Sequence, residues 1–547
     1  MKLFRVLRCA ALLLAAIPVP RLIAQGQPGA SGVPTFRAKS SLVFLDVTVL
    51  DKKGRPVVSG LTKDDFTITE DKKTQRIFSF EAPETHVMGA NARDENPDGK
   101  APVTIFVLDL LNSSFEDFAF IRYSVRKYLA AQPAQLTSPA ELMVIGNESL
   151  EMLQGYTRNK ADLLDALAHL PPSIPYKKMN GAFFWERFAQ SIDALQQIAL
   201  QNQGIPGRKN IVWVGHGGPG LNLEALTTVS RVDQLKQYVH DTTNLLVNAR
   251  ISLFVIYPGL KVVQPENVQL SAMDAKVVQR GNVQLGGMNA DADIGSGEPF
   301  AGDINFGVLV NETGGDLFYN RNDVDKEIQR SQLLGSEYYT LTYQPKEGDE
   351  DGKFRRIRVT LRNRNLQVVT KAGYFAPDKN APVDPRQQTI ANTGEAAQST
   401  IPFTALDLKV SSVVRHPDTR TVELTVLLTG RNLDWQASDN GKSTANVILA
   451  AVSLNGRGAL LASKVEHLIV SGPTQDPTHL AGITTHVPLT VRVPRKTESV
   501  RVVMETEEGG RIGAADLDRK TIDAAVAAAT PAPQLAHRPD SAAPANP

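Results

Sequence analysis

Apolar and polar positions alternate along the chain in three successive styles. In the first, "SLVFLDVTVLD" puts Val43, Leu45, Val47 and Val49 on one side of an extended segment, the two-residue period of a half-buried strand. "DKKGRP" then reads as a turn, and "DDFTITEDKKTQRIFSF" as two more short strands around a polar turn. From residue 103 to residue 334 the style changes. "VTIFVLDLL", "AELMVIGN", "GRKNIVWVG" and "ISLFVIYP" are short apolar runs suited to buried strands. Helical spacing lies between them, in Phe118, Ile121, Val125 and Leu129, in "RNKADLLDALAHL", in "AFFWERFAQSIDALQQIALQ" and in "EALTTVSRVDQLKQYVHDTTNLLVNAR". "FGVLVNETGGDLFY" and "DVDKEIQRSQLL" continue the alternation, which predicts an α/β domain over 102–335.

Strands return with "EYYTLTYQP", "FRRIRVTLR" and "LQVVTKAGYFAP". The segments 36–82 and 336–377 each hold few strands for a core of their own. Together they predict one split β-domain, with the α/β domain inserted in it or flanked by it. Tyr338, Tyr339 and Tyr343 are assigned to packing. The polar stretches 83–101 and 378–401 are expected to be linkers. Residues 261–305 interrupt the α/β pattern with Gln, Asn, Gly and Asp, and nearly repeat "KVVQPENVQL" as "KVVQRGNVQL"; a surface loop insertion is expected there. Residues 402–512 are strand-rich again, with hairpin signals at His416–Pro417–Asp418 and Asn455–Gly456, and predict an immunoglobulin-like β-sandwich. The Ala/Pro-rich 525–547 is expected to be a disordered tail.

The first 25 residues change the picture. Lys2, Arg5 and Arg8 precede a short apolar run broken by Pro18 and Pro20, and Ala24 offers a small residue for cleavage. This is the layout of a signal peptide, so export to the periplasm, cell surface or medium is expected. Cys9 is the only cysteine, and it falls within that leader. The processed chain would carry no thiol and no disulfide. The leader also holds four of the 59 basic residues and none of the 58 acidic ones, so the remainder carries a net charge of −3. That balance gives no field for nucleic acid, and no later stretch is apolar for long enough to span a membrane.

Candidate chemistry gathers at "FVLDLLNSSFED", residues 106–117. A strand ends at Asp109, hydroxyls follow, and a helix starts at once. Asp and hydroxyl oxygens at such a strand end can form part of an octahedral shell for a hard cation. Asp109, Ser113 and Ser114 are equally suited to cap the helix that follows. "VWVGHGGPG" raises a second chemistry. A strand followed by His216 and glycines is similar to the oxyanion loop of α/β-hydrolases, but the chain has no Gly-x-Ser-x-Gly nucleophile elbow. The other histidines show no zinc spacing. "NETGGDLFY" lacks the Lys-Ser/Thr of a phosphate loop, and Gly314–Gly315 reads as a helix stop.

The order of elements over 103–334 resembles a von Willebrand factor A-type domain. The wider stretch 36–377 resembles VWFA-related secreted proteins of the Acidobacteria type. The stretches that carry this are "VTVLDKKGRPVVSGLTKDDFTITEDKKTQRIFSF", "VLDLLNSS", "GRKNIVWVGHGGPG", "NETGGDLF" and "YYTLTYQP" with "DGKFRRIRVTLRN" and "KAGYFAP". The resemblance implies a Rossmann-like sheet and a metal site of Asp-x-Ser-x-Ser, a Thr on a second loop and an Asp on a third. Aligned on Asp109, Leu111 stands at the first Ser position and Ser113 at the second; Asn112 and Ser114 are the neighbouring oxygen donors. Near the second loop Asn180 replaces the Thr, and at the third His216 or a glycine replaces the Asp. The resemblance therefore implies a degenerate metal site. The expected function is a secreted, non-catalytic interaction or adhesion protein that binds another protein or a surface polymer, with no cofactor. The alternatives are an adhesin that holds Mg²⁺ on Asp109, Asn112 and Ser113, and a hydrolase that uses the His216 loop.

Overall fold

Val43–Leu50 (β1) takes its partners from far along the chain. It pairs antiparallel with Tyr339–Tyr343 (β11), from Val43↔Tyr343 to Val47↔Tyr339, and on its other side with Gln367–Val369 (β13). Ile77–Glu81 (β4) flanks β11 to complete a four-stranded sheet. A second sheet runs Gly373–Phe375 (β14), Phe354–Leu361 (β12), Phe66–Glu70 (β2), Lys73–Gln75 (β3). The two halves of the β-rich sequence thus interleave strand by strand. Their common core holds Leu45, Val47, Val49, Ile68, Tyr339, Leu341 and Tyr343. Tyr343 Oη donates to the Glu70 carboxylate inside it, and Tyr374 Oη donates to Glu70 Oε2 at 3.1 Å.

This computed structural model describes residues 42–88, 101–147, 149–170, 184–218, 229–258, 306–345, 351–376, 385–438 and 441–525. The leader, the 261–305 insertion, Asn180 and nearly all of the expected tail lie outside the described residues. The chain divides into two units, Met1–Ala405 with Thr506–Ile512, and Leu406–Glu505 with Gly513–Pro547.

The first unit also carries a six-stranded α/β sheet, in the order Leu317–Arg321 (β10), Ile251–Pro258 (β9), Lys209–Val214 (β8), Val103–Asp109 (β5), Gln135–Ile145 (β6), Leu150–Asn159 (β7). All neighbours are parallel except β7, which runs antiparallel at the edge. β5 is buried at all seven positions, as a central parallel strand covered on both faces must be. The helices are Phe115–Ala131 (α1), Lys160–Ala168 (α2), Phe184–Asn202 (α3), Val229–Asn248 (α4), Phe306–Thr313 (α5) and Val324–Ser336 (α6). On α1 the four residues of the helical spacing, Phe118, Ile121, Val125 and Leu129, are all buried. They pack in one cluster with Phe106 and Leu108 of β5 and with Leu163 and Leu167 of α2.

A buried ionic joint ties the two parts of this unit together. Arg250, just before β9, donates through Nε to Asp46 Oδ2 of β1 at 3.1 Å. Thr340 Oγ1 donates to Asp46 Oδ1 at 3.0 Å. Arg208 donates to Thr48 Oγ1 at 3.1 Å, and its guanidinium lies 5.3 Å from the centroid of the Tyr338 ring. Burial works to raise the Asp46 carboxyl, but Arg250, with Arg208 and Thr340, outweighs burial and holds the group below its usual range.

Both expected linkers contain ordered structure. In 83–101, Pro83–Thr85 forms a 3-10 turn, and His86 is buried with its ring stacked on Tyr338 at 4.2 Å. In 378–401, Pro385–Gln398 is a helix (α7). Its buried positions, Thr389, Asn392, Thr393, Ala396 and Ala397, follow helical spacing but are polar or small, so hydropathy does not mark them. Strand β7 was likewise not expected, because "LEMLQGYTRN" shows no run of apolar residues.

The second unit is built from antiparallel sheets. One runs Leu408–His416 (β15), Thr421–Thr429 (β16), Thr484–Arg492 (β20). The other runs Gln436–Ala437 (β17), Ser443–Leu454 (β18), Ser499–Thr506 (β21), Ile512–Asp518 (β22), with Leu460–Gly472 (β19) also paired to β18. Short helices at Pro477–Ala481 (α8) and Arg519–Ala524 (α9) complete it, so its structure runs past residue 512. Val422, Leu424, Val426, Val447, Leu449, Leu489 and Val502 form its core. The hairpin turns fall at the two sites the turn residues marked. Among the described residues no helix is long and apolar enough to cross a membrane.

Candidate functional site

Strand order reverses between β5 and β8, and the carboxyl ends of strands at such a switch point are where open α/β sheets bind ligands. Asp109 is the last residue of β5 and is fully buried there. Its carboxylate is surrounded by donors from the chain itself. Oδ1 accepts from the Asn112 backbone N–H at 2.8 Å. Oδ2 accepts from Trp213 Nε1 at 3.0 Å and from the Gly217 N–H at 2.8 Å. Asn112 Nδ2 bridges both oxygens at 3.2 Å. Burial raises the Asp109 carboxyl above its usual range, against the pull of the Trp213 and Asn112 donors.

The loop after β8 is shaped to deliver these donors. Gly215 has φ +147, and a Cβ there would sit 2.3 Å from Asp109 Cβ. Gly217 has φ +66, and a Cβ on it would come within 2.8 Å of the Phe306 ring. Side chains at these two positions would push the loop off the carboxylate. Trp213 is held by an edge contact to Phe306, with ring centroids 5.1 Å apart. On the far side, Asn112 Nδ2 donates to Ser191 Oγ at 3.0 Å, and Arg187 Nε of α3 donates to Asn112 Oδ1 at 3.0 Å.

The structure brings Asp109, Asn112 and Ser113 to one strand end, all buried. It does not arrange them as a cation shell. An octahedral dication needs oxygens and open water positions. Here both carboxylate oxygens face N–H donors, and Leu111, at the position of the expected hydroxyl, is fully buried. Ser113 Oγ is buried without a hydrogen-bond partner, the one leftover oxygen of the expected set. No group of three or more His, Cys, Asp or Glu side chains suited to a metal occurs among the described residues. Among the described residues, the donors around Asp109 do not fit the ion.

Ser114 is the cap of α1: its Oγ accepts from the Asp117 N–H at 3.1 Å. The same hydroxyl donates to Asp117 Oδ2 at 2.9 Å, and His216 Nε2 lies 3.3 Å from that oxygen. A serine, an aspartate and a histidine therefore meet, but with the aspartate in the middle. A nucleophilic triad needs the histidine between the other two, within reach of the hydroxyl. The hydrogen bond from His216 holds the Asp117 carboxyl below its usual range.

Aromatic rings line the same end of the sheet. Phe115, the first residue of α1, is 65% exposed. The His216, Tyr257 and Tyr319 rings follow one another across β8, β9 and β10, at centroid separations of 5.9 and 5.1 Å. Trp213, Ser191 and Arg187 were not among the sequence candidates. The aromatic-glycine run "VWVGHGG" hinted at Trp213 alone.

No protein-family model matches the chain, and no curated protein matches it. Solved structures do. It is similar to the VWA domain of SpRpn10, at 18% identity and TM-score 0.18, over 29% of this chain and 75% of that one. It is similar to a mutant form of the PilB minor pilin from Streptococcus sanguinis, at 12% identity and TM-score 0.24, over 43% and 62%. It is also similar to proximal thread matrix protein 1 of the mussel byssus, at 9% identity and TM-score 0.20, over 29% and 38%. The latter two matches span less than two thirds of those proteins.

Proposed function

We propose that this chain is an exported, non-catalytic interaction protein built around a von Willebrand A-type unit, with another protein or a surface polymer as its partner. One observation carries the non-metal part of this reading: the Asp109 carboxylate is occupied by the Trp213, Gly217 and Asn112 donors. A polar plug stands where a resident cation would otherwise complete the adhesion surface. The exposed Phe115 ring at the rim offers an anchor of the kind that dominates protein interfaces. The split β-domain holds this unit, and the C-terminal sheets act as an immunoglobulin-like spacer.

The test is to immobilise the purified protein and titrate isolated envelope proteins and envelope polysaccharide over it, with Mg²⁺ or with EDTA. Saturable binding that EDTA leaves unchanged is expected. Binding that appears only with Mg²⁺ would turn the reading to a cation-dependent adhesin on Asp109, Asn112 and Ser113. Ester hydrolysis lost on His216→Ala would overturn the non-catalytic reading.

A further inference from the structure

Strand β19 is 13 residues long, contains no proline, and pairs along its length with β18 alone among the described strands. Its other edge presents a row of backbone donors and acceptors, the kind of edge that another chain can extend. The side chains along it are arranged in an unusual way. Lys464 and Glu466 lie two residues apart on one face, 3.4 Å from each other, with side chains 49% and 31% exposed. On the opposite face Ile469 is 61% exposed, and a bulge at Leu461 breaks the alternation near the start of the strand.

We propose that this edge pairs with itself: the occupant is β19 of a second copy, antiparallel, with the two-fold axis at Val465. In that register Lys464 of each copy lies opposite Glu466 of the other. The charged pair stays on its own face, since the residues joined differ by an even number. Opposite charges directly across a ladder stabilise it, and like charges oppose it. An axis at Lys464 or at Glu466 would instead set a like pair face to face. The charge pattern therefore selects one register. The contact is isologous and closes as a dimer rather than a fibre.

Sedimentation equilibrium of the purified protein tests this, with a circular dichroism melt to confirm that each variant is folded. Wild type is expected to dimerise. Lys464→Glu places like charges across both symmetric contacts and weakens the dimer by about tenfold or more. The double change Lys464→Glu with Glu466→Lys exchanges the charges and restores it. A monomer at the highest concentration reached, or a dimer indifferent to Lys464→Glu, would overturn the pairing. A dimer that the single change weakens and the exchange fails to rescue would overturn the register.

Discussion

Trp213 Nε1 donates to Asp109 Oδ2 at 3.0 Å, joining two residues 104 positions apart in the chain. The indole and the carboxylate come from β8 and β5, the strands on either side of the switch point. A buried carboxylate must find donors somewhere. Here it finds them in the Trp213 indole, the Asn112 amide and two backbone N–H groups. Trp213→Phe keeps an aromatic ring and removes the donor, so the cost is that of one hydrogen bond to a buried charged group, about 2 kcal/mol. Urea unfolding of the two proteins should show that loss.

Gly215 is held to Asp109 more tightly than any other residue could be. Gly215→Ala puts a methyl 2.3 Å from Asp109 Cβ at a φ of +147. The strain expected is about 1–3 kcal/mol, as for an overpacked core. Gly217→Ala should cost a similar amount through Phe306, and a thermal melt of each variant checks both.

Phe115 divides stability from binding. Its ring is largely exposed, so Phe115→Ala should leave the unfolding free energy within about 0.5 kcal/mol of wild type. The partner affinity should fall by about 1 kcal/mol or more, as for an aromatic anchor. Surface binding assays beside urea melts separate the two effects. Equal affinity in both proteins would place the binding surface elsewhere.

Asp46 answers to a different logic. Replacing it with Ala leaves Arg250 and Arg208 buried without their counter-charge, and a loss of about 3–5 kcal/mol is expected. Because its folded pKa is depressed, the contribution of Asp46 is present above the ordinary carboxyl range and is lost as pH falls through the folded value. Wild type should lose stability in acid more steeply than Asp46→Ala.

Glu141 supplies the opposite slope. Buried on β6, it has its carboxyl lifted by burial to about 8 from 4.5, against the pull of Tyr156 and Gln201. The folded state then binds more protons than the unfolded one between those values. Its contribution is complete below the unfolded pKa and is lost as pH rises through about 8. Glu141→Gln should flatten the fall in unfolding free energy between the unfolded value and about 8, which guanidinium titrations at several pH values would show.

The sequence displayed the parts of the fold that bury apolar side chains. Val43, Leu45, Val47 and Val49 announced β1, and Phe118, Ile121, Val125 and Leu129 announced α1, because each set has one period and one buried face. Helix α7 escaped because Thr389, Asn392, Thr393 and Ala396 bury with little hydrophobicity. The candidate site was half visible. Asp109 stood at a strand end, and Leu111 marked a missing ligand. The donors that fill the place, Trp213 and Gly217, are ordinary residues in sequence. Only the parallel pairing of β5 with β8 makes them neighbours.

The interleaving of β1 and β4 with β11 has a consequence for how the protein is made. Synthesis begins at the N-terminus, so the first strands are finished long before the strands that flank them. Neither half of the split domain can close until the entire α/β unit has been threaded between them. Contacts of such long separation are slow to form. The β-domain is therefore a clasp around the α/β sheet: begun before it and closed only after it.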